Sequence, residues 1–262
     1  MSTTRLTLAA ALLAASALGA IAPAQASADS AASAAAYRVT LKVSTDQAVQ
    51  REDKVALTGK VTPKAPGSKV TVQIRYEGQK NWNAIGTAKV QGDGSYKYVD
   101  KPKTRVDRAY RVLKPAGGAN AKGVSKERDV EVFGWDWLDA RTPSASKDVL
   151  ETFSMPINGD DYFHTLYSAT TTPSAFVEYT LGRKCLLLDA TFGLSDRTAT
   201  GGAGRIQVRA DGVSLYDHSF PLGESSAQSL DVDDVYRVRI DFAQLNGTQP
   251  EPSAGAAKVL CD

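Results

Sequence analysis

Short runs of alternating apolar and polar residues recur along most of this chain, separated by turn-forming residues. One run alternates around Val39, Leu41 and Val43, and residues 205–210 (RIQVRA) alternate before Asp211-Gly212. A period of two is typical of strands with one buried face, and an Asp-Gly pair favours a hairpin turn. After residue 26 the sequence shows no sustained helical period. It therefore predicts an all-β protein built from sandwiches.

The first 26 residues have the parts of a secretory signal peptide. Arg5 precedes an apolar run at residues 6–21, Pro23 ends the run, and residues 24–26 (AQA) offer small side chains for cleavage. The run is shorter than the roughly 20 residues that a spanning helix needs, so we expect cleavage and not membrane anchoring. We predict a signal peptide at residues 1–26, a flexible lead-in at residues 27–36, and a secreted, extracellular protein without membrane insertion.

Charge divides the remaining chain into two parts of opposite sign. Residues 37–133 contain 20 Lys and Arg against 10 Asp and Glu, a net charge of +10, whereas residues 134–262 contain 10 against 18, a net charge of −8. A reversal of this size predicts two domains with these bounds.

The first domain contains a basic stretch with two interpretations. The stretch consists of Lys97, Lys101, Lys103, Arg105, Arg108 and Arg111. It either attracts an anionic polymer, such as a wall teichoic acid or an acidic polysaccharide, or is a solvated strand face. Because neither a recognition motif nor an aromatic platform accompanies it, we expect no nucleic-acid partner.

The two cysteines, Cys185 and Cys261, both lie in the second part of the chain. In an oxidising compartment an isolated pair is most simply a disulfide. A metal site or a catalytic thiol would need neighbouring ligands, and the chain has only His164 and His218 as histidines. The sequence therefore predicts a disulfide that ties the last strand to its domain.

Residues 37–133 resemble the Ig-like modules of secreted actinobacterial proteins. The resemblance rests on residues 57–61 (LTGKV), 70–73 (VTVQ), 92–96 (GDGSY) and 109–112 (AYRV), with Trp82 between them. It implies an Ig-like β-sandwich of about seven strands, and these mostly structural motifs say little about function.

Residues 134–262 resemble the NPCBM family of carbohydrate-binding modules. The resemblance rests on residues 175–184 (AFVEYTLGRK), 188–197 (LDATFGLSDR), 206–216 (IQVRADGVSLY), 230–232 (LDV) and 237–240 (RVRI). It implies a jelly-roll β-sandwich of the galactose-binding-domain-like type, and carbohydrate binding. The chain departs from the family at residues 163–169 (FHTLYSA), where a Gly-Leu-Gly is missing and His164 comes earlier than expected. It also lacks the glycoside hydrolase domain that usually accompanies the module.

Sugar recognition needs an aromatic face for the ring and planar polar groups for its hydroxyls. Trp135 and Trp137 near the domain entrance are alternatively residues that pack at the domain junction, and Tyr162 and His164 are alternatively ordinary loop residues. The candidate site residues are Tyr162, His164, Tyr167, Asp196, Arg197, Trp135 and Trp137.

The inventory of reactive residues argues against an enzyme. A zinc site needs three or four ligands, and the sequence contains no Gly-x-Ser-x-Gly element for a serine nucleophile. No cofactor is expected, although Asp189, Asp196 and Asp241 leave a structural calcium ion open.

Two functions remain. The first is a secreted, non-catalytic, lectin-like protein whose C-terminal jelly roll binds a polysaccharide or cell-wall glycan. The second is an extracellular protein-interaction or envelope-associated structural protein that does not bind sugar.

Overall fold

The computed structural model describes residues 34–169, 172–247 and 249–262. The predicted signal peptide lies outside these residues, as do residues 27–33 of the predicted lead-in. Regular structure in the described residues is β-strand, apart from a 3₁₀ helix at Leu138–Ala140. The predicted all-β class is therefore confirmed, and the strands form two successive sandwiches.

The N-terminal sandwich consists of two sheets around one core. Its strands are β1 (Arg38–Val39), β2 (Lys42–Val43), β3 (Gln47–Val49), β4 (Val55–Thr62), β5 (Lys69–Tyr76), β6 (Asn83–Lys89), β7 (Ser95–Asp100), β8 (Arg108–Lys114), β9 (Gly123–Val124) and the first part of β10 (Arg128–Trp137). In one sheet β4 pairs with β1 and β2 along one edge and with β7 along the other. The other sheet contains the order β10-β8-β5-β6 and continues beyond β10 into the rest of the chain. Val55 and Leu57 of the first sheet pack in the same core as Val72 and Val112 of the second.

The C-terminal sandwich also consists of two sheets around one core. Its further strands are β11 (Ala145–Lys147), β12 (Val149–Ile157), β13 (Asp160–Ser168), β14 (Ser174–Thr180), β15 (Cys185–Leu194), β16 (Ala203–Ala210), β17 (Val213–Pro221), β18 (Ser225–Asp231), β19 (Arg237–Asn246) and β20 (Pro252–Cys261). One sheet has the order β11-β14-β19-β16-β17, and the other joins β12, β13, β20, β15 and β18. Phe192, Phe220 and Phe242 are fully buried between the sheets.

Strand β10 takes part in both sandwiches. Its first residues pair with β8 and β3, whereas residues 134–137 pair with β20. The partners of β10 thus change between residues 133 and 134, and the division into two domains with these bounds stays a prediction. Just beyond that point, Asp136 binds Arg105 at 2.8 Å and Arg141 at 3.0 Å, one arginine from each side of the change.

The two cysteines form the predicted disulfide. Cys185 on β15 lies directly opposite Cys261 on β20, and the two are joined across a sequence separation of 76 residues. The bond therefore ties the C-terminal strand β20 to its neighbour β15, which confirms the prediction.

Candidate functional site

Four ring-bearing side chains meet where the end of β10 approaches the β12–β13 hairpin. The Trp137 indole stacks on the His164 imidazole with 4.4 Å between ring centroids and 13° between planes. Phe153 lies edge-on to His164 at 5.8 Å and contacts Phe163 at 5.2 Å. Phe153 is 70 % exposed and Phe163 is 51 % exposed. We call Trp137, Phe153, Phe163 and His164 the aromatic surface.

The hairpin turn explains why two strands contribute to this surface. The turn at Asn158-Gly159 has positive φ at both residues, which suits an Asn-Gly pair in a two-residue hairpin. The register that follows from it pairs Ser154 with Phe163 and so brings Phe153 level with His164. The aromatic surface therefore follows partly from local turn chemistry.

His164 is held in an uncommon backbone conformation. Its φ is 55°, in the left-handed region that costs an L-residue roughly 1–2 kcal/mol. Its Nδ1 lies 2.8 Å from Oδ2 of Asp139, which follows Trp137 closely in the 3₁₀ helix. The other oxygen, Oδ1, is buried and has no hydrogen-bond partner within the described part of the chain. The imidazole is therefore fixed from two sides, by the indole and by the carboxylate.

Lys258 extends the aromatic surface toward β20. Its ammonium lies 4.2 Å from the ring centroid of Trp135 and 5.8 Å from that of Trp137. Trp137 and Lys258 are paired across β10 and β20, and Trp135 occupies the same face two residues earlier. The two tryptophans and His164, three of the residues named as sugar-binding candidates, thus lie close together.

A shallow cavity of about 370 Å³ adjoins Lys258 on the outer face of the same sheet. Asp189, Gln228 and Ser229 line it together with Lys258. Ser229 donates a hydrogen bond to Asp189 at 2.6 Å, and Lys258 lies 4.0 Å from the same carboxylate. The arrangement places hydrogen-bond donors and acceptors beside an exposed ring system, which is the combination that pyranose recognition needs.

The other four candidates lie apart from the aromatic surface. Tyr162 packs against Gly255, where a Cβ on the glycine would come within 2.6 Å of the Tyr162 Cβ, and Tyr167 is half-buried opposite Leu150. Asp196 accepts hydrogen bonds from the backbone N–H groups of the hairpin turn at residues 158–159, at 2.8 and 2.9 Å.

Arg197 is exposed next to Asp196 at the turn end of the hairpin. The structure thus assigns Asp196 a local role in fixing the turn. It does not bring Tyr162, Tyr167, Asp196 or Arg197 to the stacked pair.

Several site residues were missed from the sequence. Phe153 and His164 are symmetric about the Asn158-Gly159 turn, and that spacing would have identified Phe153 as a neighbour of His164. Asp139 and Lys258 carry no comparable local signal, because a strand pairing of distant segments brings Lys258 to Trp137.

The three aspartates named for a structural calcium ion are separate from one another and are bound by protein groups. Asp189 binds Ser229, Asp196 binds the hairpin turn, and Asp241 accepts a 2.8 Å hydrogen bond from Arg239. The described residues contain no group of three or more His, Cys, Asp or Glu side chains placed to hold a metal ion. Among these same residues, no helix has the length and apolar character needed to cross a membrane.

Residues 132–243 match the model of the NPCBM/NEW2 domain family. The matched segment is less than half of the chain and contains all four residues of the aromatic surface, as well as Trp135 and Asp139, but it ends before Lys258. No curated protein matches the chain at a significant level.

Two solved structures share limited similarity with the chain. One is CBM51 from Clostridium perfringens GH95 in complex with methyl-galactose, with 12% identity, a TM-score of 0.42, and coverage of 48% of this chain and 99% of that one. The other is tripeptidyl peptidase 2, with 11% identity, a TM-score of 0.27, and coverage of 85% of this chain and 20% of that one. Both TM-scores are too low to bear on fold or function. The family match stands without them, and it supports a carbohydrate-binding module in the C-terminal sandwich.

Proposed function

We propose that the chain is a secreted, non-catalytic, lectin-like protein that binds a neutral polysaccharide or a cell-wall glycan through the aromatic surface. The observation that carries this proposal is the exposed stack of Trp137 on His164, with polar groups of Lys258 and Asp189 beside it. The match to the NPCBM/NEW2 family supports the same class of ligand.

The exposure of the aromatic surface is the physical argument for a ligand. A contiguous apolar patch on a soluble protein commonly marks a binding site. The flat face of an indole suits the C–H face of a pyranose, and ring stacking adds free energy beyond the area that is buried. Because Trp137 is stacked and His164 is hydrogen-bonded, little side-chain freedom is lost when a ligand binds.

Secretion and the absence of catalysis are parts of the same proposal. A disulfide is typical of oxidising compartments, and Cys185–Cys261 fits the predicted signal peptide. The non-catalytic assignment is supported by the NPCBM/NEW2 match and by the residue inventory.

A second candidate function is protein binding at the outer edge of the sheet. β12 is the terminal strand in the order β12-β13-β20, and it presents Phe153 at 70 % exposure and Leu150 at 46 % exposure. Unpaired edge strands accept a further strand from a partner. Such a partner would use backbone groups of β12, whereas a sugar would use the rings of Trp137 and His164.

Binding of insoluble and soluble polysaccharides by the mature chain tests the proposal. We expect salt-resistant binding to at least one neutral glycan, competed by a free sugar. Loss of the stacking ring in Trp137→Ala should weaken it by about 10-fold or more, the size of effect typical of a central aromatic anchor. Tyr236→Ala removes a ring that is 48% exposed outside the aromatic surface and is the matched control. The proposal would be contradicted if the wild-type chain bound no neutral glycan, or if both variants lost the same amount of glycan affinity.

A further inference from the structure

The outer face of the N-terminal sandwich carries a basic groove. A cavity of about 640 Å³ is lined by ten residues that include four lysines and no carboxylate. We call this site the lysine groove. Its lining residues are Thr40, Lys42, Thr58, Gly59, Lys60, Lys89, Gln91, Ser95, Tyr96 and Lys97.

Strand register brings the lysines together from distant parts of the sequence. Thr58 on β4 pairs with Lys42 on β2 and with Lys97 on β7, so the three residues form one row across the sheet. Lys60 lies two residues further along β4 and so points to the same side. Lys89, at the end of β6, adds the fourth ammonium.

No close ion pair neutralises the lysines of the groove. Within the described residues, none of the four lysines lies within 4.0 Å of a carboxylate in an ion pair. The pKa of nearby Asp93 is lowered mainly by hydrogen bonds from Ser95, with Lys60 as a smaller cause, so this carboxylate is engaged within its own turn. Lys60 lies diagonally across from Lys42 on one neighbouring strand and from Lys97 on the other, so these like charges repel one another. An anion bound between them would remove that repulsion.

The floor of the groove is fixed and polar. The Tyr96 hydroxyl donates a hydrogen bond to the carbonyl of Thr40 at 2.5 Å across the open position at Gly59. A Cβ on Gly59 would lie 1.8 Å from that carbonyl oxygen, so a larger residue would displace this contact. This hydrogen bond therefore links β7 to the segment between β1 and β2 beneath the lysines.

We propose that the lysine groove binds a linear anionic glycan, with one charged oxygen group on each repeating unit. Lysines act as point charges, which suits spaced carboxylate or phosphodiester groups, and Thr58 and Gln91 add hydrogen-bonding groups for hydroxyls. A single-stranded nucleic acid would need exposed rings for its bases, and the one ring that lines the groove, Tyr96, is 2 % exposed. This site is separate from the aromatic surface and does not depend on sugar binding there.

The sequence had indicated a different basic cluster for such a polymer. Of that stretch, Lys97 lines the groove, whereas Arg108 is buried and Arg105 is paired with Asp136. Lys101 and Lys103 are exposed and lie outside the groove lining. They provide a charge-matched control in the same sandwich.

The experiment compares wild type, Lys60→Gln/Lys97→Gln and Lys101→Gln/Lys103→Gln by affinity electrophoresis and calorimetry at several salt concentrations. The probes are polygalacturonate, its fully methyl-esterified form, poly(glycerol phosphate) and a single-stranded DNA oligonucleotide. The two charged polymers distinguish a carboxylate from a phosphodiester source. We expect wild type to bind at least one of them and not the methyl ester.

In the groove variant, we expect affinity for the charged polymer at low salt to fall by about 10-fold. The slope of log affinity against log salt should become shallower, because fewer counterions are released from the polymer with each lost lysine contact. The control variant should behave as wild type, and circular dichroism should show all three proteins folded. Equal losses in both variants, binding of the methyl ester or no binding of either charged polymer would overturn the proposed site. DNA binding as tight as that of the polymers would overturn the glycan assignment.

Discussion

The indole of Trp137 and the imidazole of His164 stack with their planes 13° apart, although 27 positions separate the two residues in the sequence. The contact joins the end of β10 to the middle of β13, and the hydrogen bond between Asp139 and His164 completes it. The sugar-binding proposal depends on this contact because it fixes both rings before a ligand arrives.

Removing the imidazole ring should therefore weaken sugar binding and lower the melting temperature, because the stack and the Asp139 contact are lost, in a protein that still folds. His164→Asn keeps a side chain that tolerates positive φ and hydrogen-bonds locally, but it lacks the ring. An aromatic pair contributes about 0.5–1.5 kcal/mol, so we expect sugar affinity to fall about 2- to 10-fold. Calorimetry with the glycan found for wild type measures the affinity, and thermal unfolding provides the stability control. Unchanged affinity in a folded variant would show that the stack does not support binding.

Removing the disulfide should strongly destabilise the protein. The bond closes a loop with a sequence separation of 76 residues, which corresponds to about 4 kcal/mol in the chain-entropy model. We expect Cys185→Ser/Cys261→Ser to unfold at a clearly lower denaturant concentration than wild type. Wild type with a reducing agent should resemble the variant. A midpoint equal to that of oxidised wild type would contradict this expectation.

The two arginines on Asp136 should couple the sandwiches. Asp136→Asn weakens the interactions with both Arg105 and Arg141, so we expect a lower melting temperature, with a smaller difference at high salt because salt screens these partly exposed charges. Calorimetric unfolding at two salt concentrations measures the effect. Asp234→Asn is the matched control, since its pair with Arg183 is largely exposed and such pairs contribute about 0–1 kcal/mol. Equal shifts in the two variants would rule out a special role for Asp136.

The Arg205–Asp217 pair should make a small contribution to stability that depends on pH. Hydrogen bonding to Arg205 is the largest cause that holds the pKa of Asp217 below its ordinary value, and the charges of Arg205, Arg209 and His218 add to it. A lowered folded-state pKa means that the contribution is complete above the ordinary pKa of Asp, and is lost as pH falls through the lowered value. Because both side chains are partly exposed, solvent reduces its size.

We therefore expect Asp217→Asn to melt slightly below wild type at pH 7, with the difference shrinking as pH falls below the ordinary pKa of Asp. Arg205→Gln should reproduce this pattern, since it removes the same interaction from the other side. Melting curves across the pH range provide the measurement. A difference that persists undiminished at pH 2 would mean that the pair does not cause it.

The sequence by itself determined the features that depend on local pattern. Alternating burial is visible in β16, where Ile206 and Val208 are buried and the Asp211-Gly212 turn leads into β17 as predicted. The cysteine pair was predicted because two isolated cysteines leave one simple pairing. Trp137 and His164 were named as candidates from residue type, and the structure brings them into contact.

Tertiary structure alone decided which candidates share a surface. Lys258 reaches Trp137 only because β10 pairs with β20, and Lys42 and Lys97 line one groove only because both strands pair with β4. Asp196 was a candidate because it has a carboxylate. Both carboxylate oxygens, however, accept hydrogen bonds from backbone N–H groups of the hairpin turn. The physical reason is that a period of two specifies which face of a strand is buried. Which distant strand lies beside it, and in which register, is set by packing of the whole core.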